Sequence, residues 1–230
     1  GLKKNDKSKK ILFKYGENPN QKSYFIKSNS MSIIDGQIQG NKIGYNNILD
    51  ISEGIACLNE FREPTCVIIK HNNPCGVASD TTVKKSFIKA YQADSLSAFG
   101  GVVLFNRRIN KNLSLLLKKY FFEIIIAPDF DKNSIEVFET KKNLILITSK
   151  NINSNNKEFK TVASGILFQD KNDFKITRKS IKLVSSKKAS FKIVEDLLFA
   201  FKVAKHVKSN AIVLANNKQT VGIGAGQMSR

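Results

Sequence analysis

The 230 residues contain no tryptophan, two histidines, four prolines and three cysteines. Arginine is almost as scarce, at five against 33 lysines. Cys57, Cys66 and Cys75 are spaced nine apart, which matches no zinc motif. Their odd number argues against a disulfide framework and for a reducing, cytoplasmic compartment. No apolar run approaches the roughly 18–20 residues that span a bilayer, and the polar, basic start GLKKNDKSKK is no signal peptide. A soluble protein without a membrane partner is expected. Acidic residues number 19 against 38 basic ones, a net charge of +19. Nucleic-acid readers concentrate arginine and interleave aromatics. Here the densest lysines (Lys3, Lys4, Lys7, Lys9, Lys10; Lys187, Lys188) fall in linker-like stretches. The charge therefore reads as a solvated surface that attracts anionic small molecules, with no specific nucleic acid. A basic nucleic-acid-binding module is the rival reading; it requires affinity that falls steeply with salt.

What is present is an α/β pattern. Short apolar runs at 66–69, 101–105, 123–127, 144–148, 163–168, 211–215 and 220–223 predict strands, near-continuous in the way of strands covered on both faces. NNK at 216–218 joins the last two as a hairpin. Helices are predicted over 47–61, 82–92, 110–121 and 132–141, the last N-capped by Asp131. A long helix capped by Ser190 carries Phe191, Val194, Leu197, Leu198, Phe201 and Ala204 as its apolar stripe. The polar stretch 149–160 is predicted to be a loop, and 171–188 a linker. The chain begins with Gly and stops just after a glycine loop, so it is read as a piece of something longer.

The stretch CVIIKHNNPCG ends an apolar strand with Lys70 and His71, followed by an Asn/Pro/Gly turn. In open α/β sheets ligands bind beyond the carboxyl ends of strands. A histidine there can take a proton from an attacking amine. A neighbouring ammonium would keep that imidazole neutral and stabilise a developing oxyanion. A strand end that is merely polar is the plain alternative. Cys75, four residues on, is either a nucleophile or a small side chain packed in the turn. The zinc deaminase pattern fails, because Ala78 stands where a second cysteine is needed and no glutamate follows His71. GIGAG at 222–226 fails the dinucleotide pattern at Gln227. Its glycines permit close backbone approach, with Gln227, Ser229 and Arg230 as donors. Lys14 precedes the turn YGENPNQ, where exposed amides and a cation suit a phosphate. SAFGG at 97–101 likewise admits a ligand or is simply structural, and His206 at a helix end reads as dipole compensation.

KYGENPNQ, GYNN, EPTCVIIKHNNPCGVA, AYQADSLSAFGG, IIAPDF, ASGILFQD and KHVKSNAIVLANNKQTVGIGAGQMSR together resemble, in order, the transformylase part of the AICAR transformylase/IMP cyclohydrolase family of bifunctional purine-biosynthesis enzymes. The resemblance runs from about residue 11 to residue 230. It implies formyl transfer from 10-formyltetrahydrofolate, as co-substrate, to the 5-amino group of AICAR, with no catalytic metal, and a full-length parent that is also an IMP cyclohydrolase. The pair Lys70 and His71 falls on the family's catalytic lysine and histidine, and Asn210 on an asparagine placed against the reacting groups. Lys14, Tyr15, Asn47, Gly100 and Glu123 fall on the nucleotide pocket. The implied fold is α/β, with cytidine-deaminase-like three-layer α/β/α units lacking the zinc site. The implied division is a linker remnant of a missing cyclohydrolase domain at 1–10, a first subdomain at 11–170, a linker at 171–188 and the start of a truncated second subdomain at 189–230. AICAR and reduced folate are the implied partners, bound by a homodimer with sites at its interface. The family's RYGENPHQ reads KYGENPNQ here, so Lys14 replaces a forked arginine and Asn20 a histidine. An inactive remnant that keeps the fold is the alternative.

Overall fold

The computed structural model describes residues 10–27, 32–149 and 157–229. The first basic cluster before Lys10, most of the 1–10 linker, residues 150–156 of the expected loop, and Arg230 lie outside the described residues. In chain order the elements are β1 (Lys10–Leu12), β2 (Tyr24–Ile26), β3 (Gln37–Gln39), α1 (Tyr45–Leu58), β4 (Thr65–Lys70), β5 (Asn73–Ser79), α2 (Val83–Ala93), β6 (Val102–Phe105) and α3 (Lys111–Leu117). They continue with β7 (Ile124–Ala127), α4 (Lys132–Phe138), β8 (Ile145–Thr148), β9 (Lys157–Val162), β10 (Gly165–Asp170), α5 (Phe191–Ala204), β11 (Ile212–Asn216) and β12 (Gln219–Gly224).

Eight strands form one sheet in the order β11-β12-β5-β4-β6-β7-β8-β3. β6, β7 and β8 run parallel because α3 and α4 carry the chain back between them. The other pairings are antiparallel. Side chains alternate faces along each central strand. Cys66, Ile68, Val103, Phe105, Ile125 and Leu146 point to one core with Phe87 of α2, Leu113 and Leu117 of α3 and Phe138 of α4. Val67, Ile69, Leu104, Ile124, Ile126 and Ile147 point to a second core with Ile51 and Cys57 of α1 and Phe199 and Val203 of α5. Both strand faces are dry, which is why these runs read as continuously apolar. The result is an α/β protein in three layers.

The final hairpin forms as expected, with Asn217 and Lys218 at φ +51° and +53° in its two-residue turn. β12 joins β5, so β11 and β12 extend the same sheet at its edge. Ser190 caps α5, its hydroxyl accepting from the Ile193 amide at 3.4 Å. Asp131 stands at the N-cap of α4, but its carboxylate turns to Arg108 and makes no cap bond. The expected loop at 149–160 is corrected at its end: residues 157–160 begin β9, which pairs with β10 as a separate hairpin. Its polar sequence hid it, since every described side chain of β9 and β10 is exposed. Within 171–188 the only helix among described residues is a 3-10 turn at Arg178–Ser180.

Candidate active site

β4 ends at Lys70 and β5 begins at Asn73, leaving His71 and Asn72 as a two-residue turn. Both are left-handed, with φ +51° and +63°, the geometry of a tight hairpin turn that matches strand twist. Asparagine and histidine tolerate it better than most non-glycine residues. Two polar bonds brace it: the Asn72 amide donates to Asp50 Oδ1 at 2.7 Å, and Asn73 Nδ2 to the His71 carbonyl oxygen at 3.1 Å.

Lys70 and His71 open on a cavity of about 370 Å³. The structure brings Lys14, Tyr15, Asn47, Gly100 and Glu123 to the same cavity. Lys14 and Tyr15 arrive on the broad loop between β1 and β2, where the YGENPNQ turn closes by Gly16 N to Gln21 O at 2.8 Å. Asn47 comes from the first turn of α1; its Oδ1 accepts from the Gly44 amide at 2.9 Å and its Nδ2 reaches Glu123 Oε2 at 3.4 Å. Gly100 enters just before β6 with φ +65°. Its carbonyl oxygen accepts from Lys70 Nζ at 2.9 Å, which aims the ammonium along the cavity wall. Lys14, Lys42 and Lys70 line this space together with Asp50 and Glu123, a set of charges that can bind an anionic ligand carrying hydroxyl groups.

Asn210 stands apart. It lines neither this cavity nor its neighbour; its Nδ2 donates to the Gln227 carbonyl oxygen at 3.0 Å, and its own carbonyl oxygen accepts from the Gln227 amide at 3.2 Å. Gly226, at φ +64°, lets the backbone turn so that its amide reaches the Lys208 carbonyl oxygen at 2.7 Å. The glycine loop is thus folded on the turn after α5. That turn in turn meets the site, since the Lys208 amide donates to Asn73 Oδ1 at 3.0 Å.

His71 also borders a second, larger cavity of about 680 Å³, shared with Asp50, Glu53, His206 and Lys208. His206 is mostly buried against Glu60 and Lys205 rather than an exposed helix-end cation. Burial pushes its pKa down, against the opposing pull of Glu60. Cys75 fits a packed side chain of the turn better than a nucleophile: burial pushes its thiol up to about 12, and its Sγ donates to the Ile68 carbonyl oxygen at 3.6 Å. Among the described residues no three His, Cys, Asp or Glu side chains gather as a metal-binding group, and no helix is long and apolar enough to cross a membrane.

Reasoning from the sequence missed Asp50, Lys42 and Tyr45, all on this cavity. Asp50 had a signal: Asn46, Asp50 and Glu53 recur at helical spacing along one face of α1.

The family model described as AICARFT/IMPCHase bienzyme matches residues 3–230. The chain belongs to the AICARFT/IMPCHase bienzyme family. Relatives of that family named bifunctional purine biosynthesis protein PurH include those of Caldicellulosiruptor bescii, 45% identical over 94% of this chain and 44% of the relative, and Buchnera aphidicola, 43% identical over 96% and 44%. The Staphylococcus aureus relative is 42% identical over 97% of the chain and 46% of its own length. The chain thus spans under half the length of these family members.

Proposed function

We propose that this segment carries the transformylase site of a bifunctional purine-biosynthesis enzyme, moving a formyl group from 10-formyltetrahydrofolate to the 5-amino group of AICAR. The observation that supports it is the meeting of Lys70 and His71 with Lys14, Tyr15, Asn47, Gly100 and Glu123 on one cavity, in a chain of this family. Lys14 and Lys42 take the nucleotide phosphate, and the Asn47–Glu123 pair takes ribose hydroxyls. The amine then attacks the formyl carbon. A carbon–nitrogen bond forms, negative charge gathers on the formyl oxygen, and the amine proton passes to the His71 imidazole. The Lys70 ammonium meets the developing oxyanion. Collapse breaks the bond to the folate nitrogen, which leaves with the proton that His71 took from the amine.

The wider reading follows the family. The three layers are taken as cytidine-deaminase-like, with subdomains at 11–170 and from 189 onward joined by 171–188, in a cytoplasmic polypeptide that also holds a cyclohydrolase. A homodimer with sites at its interface gives Asn210, which lines neither cavity of its own chain, a place to act. Uncovered apolar surface supports such a partner: Phe159 and Phe168 of the β9–β10 hairpin are 71% and 70% exposed, and Phe191, Leu197 and Phe201 line the outer side of α5.

Calorimetry tests the nucleotide site. Saturable AICAR binding is expected, weakened about tenfold or more by Lys14→Ala, the loss of one charge-assisted contact. No saturable binding, or binding indifferent to that substitution, would overturn the assignment.

A further inference from the structure

The strained turn is braced by a carboxylate that the proposed transfer does not use. Asp50 sits mid-way along α1, packed beneath the hairpin tip, and its Oδ1 accepts the Asn72 amide proton at 2.7 Å. His71 and Asn72 both hold positive φ, a conformation that is uphill for residues with a Cβ and persists only where surroundings enforce it. The bond from Asp50 is the contact that ties this turn to the rigid helix layer. Asp50 also lines both cavities that His71 borders, so it stands at the seam where the imidazole is held. The Asp50 carboxyl is half-buried. Burial raises its pKa, while the Asn72 amide and the charges of His71 and Lys70 pull the other way.

We propose that Asp50 is a positioning residue: by accepting the Asn72 amide proton it locks the left-handed His71–Asn72 turn and so fixes the imidazole between the two cavities. This rests on the formyl-transfer reading above. The bond needs an oxygen at one place, not a charge. Asparagine keeps that oxygen, glutamate keeps the charge but moves the oxygen by one methylene, and alanine has neither.

The test is steady-state formyl transfer by the full-length protein carrying Asp50→Asn, Asp50→Glu or Asp50→Ala, with thermal melts alongside. Misplacing a reacting group by about 1 Å costs roughly 10²-fold. Asp50→Ala and Asp50→Glu are therefore expected to lower kcat about 10²-fold, with KM for AICAR near the parent value, while Asp50→Asn stays within about tenfold. Asp50→Glu keeps a carboxylate there and guards against an alanine variant that fails to fold. An unchanged kcat in Asp50→Glu would overturn the proposal, and so would Asp50→Asn falling as far as Asp50→Glu, or a loss confined to KM. His71→Ala run in parallel separates the two claims: if it keeps full turnover, the catalytic assignment fails; if it is inactive while the Asp50 series is flat, only the positioning role fails.

Discussion

Lys70 Nζ donates to the carbonyl oxygen of Gly100 across 2.9 Å, joining the end of β4 to the residue that leads into β6. Gly100 is left-handed at φ +65°, and a Cβ built there would lie 3.2 Å from that same Nζ and 3.4 Å from Phe121 Cε1. The backbone selects glycine, and a Cβ would crowd the Lys70 ammonium. Gly100→Ala is expected to cost about 1–2 kcal/mol for the positive φ and to push the ammonium off the cavity wall. Denaturant unfolding reads the first effect; formyl transfer, falling more than stability alone explains, reads the second.

Gly76 in β5 is a packing case. A Cβ there would collide with the backbone carbonyl of Ala90 in α2, which no rotamer change can relieve. The helix would have to lift from the sheet. Gly76→Ala is expected to destabilise by about 3 kcal/mol or more, at or beyond the upper end of overpacking penalties, seen as a lowered denaturation midpoint with an unchanged slope.

These glycines show where the sequence was readable. Helical periodicity gave α2 and α5 to about a residue and α1 with both ends two or three residues late, because one face of each is buried in a continuous core. β4, β6, β7 and β8 announced themselves by being apolar on both faces. β5 did not: Asn73, Pro74, Cys75 and Gly76 have no strand pattern, and the strand exists because β4, with a register shift between Ile68 and Ile69, accommodates them. β1, β2 and β3 are three residues each, too short for periodicity to register. The site followed the same rule. His71 and Lys70 are conspicuous at a strand end. Asp50 acts through a bond to a backbone amide 22 residues away, which only the folded chain reveals.

His206 makes stability depend on pH. Its Nε2 is buried without a hydrogen-bond partner among the described residues, 3.6 Å from Glu60 Oε1. Burial is the largest influence and lowers its pKa below 6.5, opposed by Glu60 and assisted by Lys205. The unfolded chain therefore binds the proton more readily than the folded one. Stability is fully present above about pH 6.5 and declines as pH falls through and below that value. His206→Gln is expected to flatten the decline between pH 7 and pH 5 in urea titrations; a parallel slope in both proteins would refute it.

Asp80 governs a lower window. The Lys89 ammonium, 2.7 Å from Asp80 Oδ2, holds that carboxyl at about 2 rather than 3.8. A depressed carboxylate stabilises above its ordinary value and loses that contribution as pH falls toward 2. Lys89 is partly exposed, so the contribution is about 1 kcal/mol at most. Asp80→Asn should remove it at pH 6 and have a much smaller effect near pH 2, as measured by paired unfolding curves.

The most direct measurement is formyl transfer to AICAR by the full-length protein with His71→Ala, alongside AICAR affinity. A general base contributes about 10²–10⁴-fold, so kcat is expected to fall by that much while AICAR still binds. Turnover equal to the parent would contradict the role given to the strand-end imidazole.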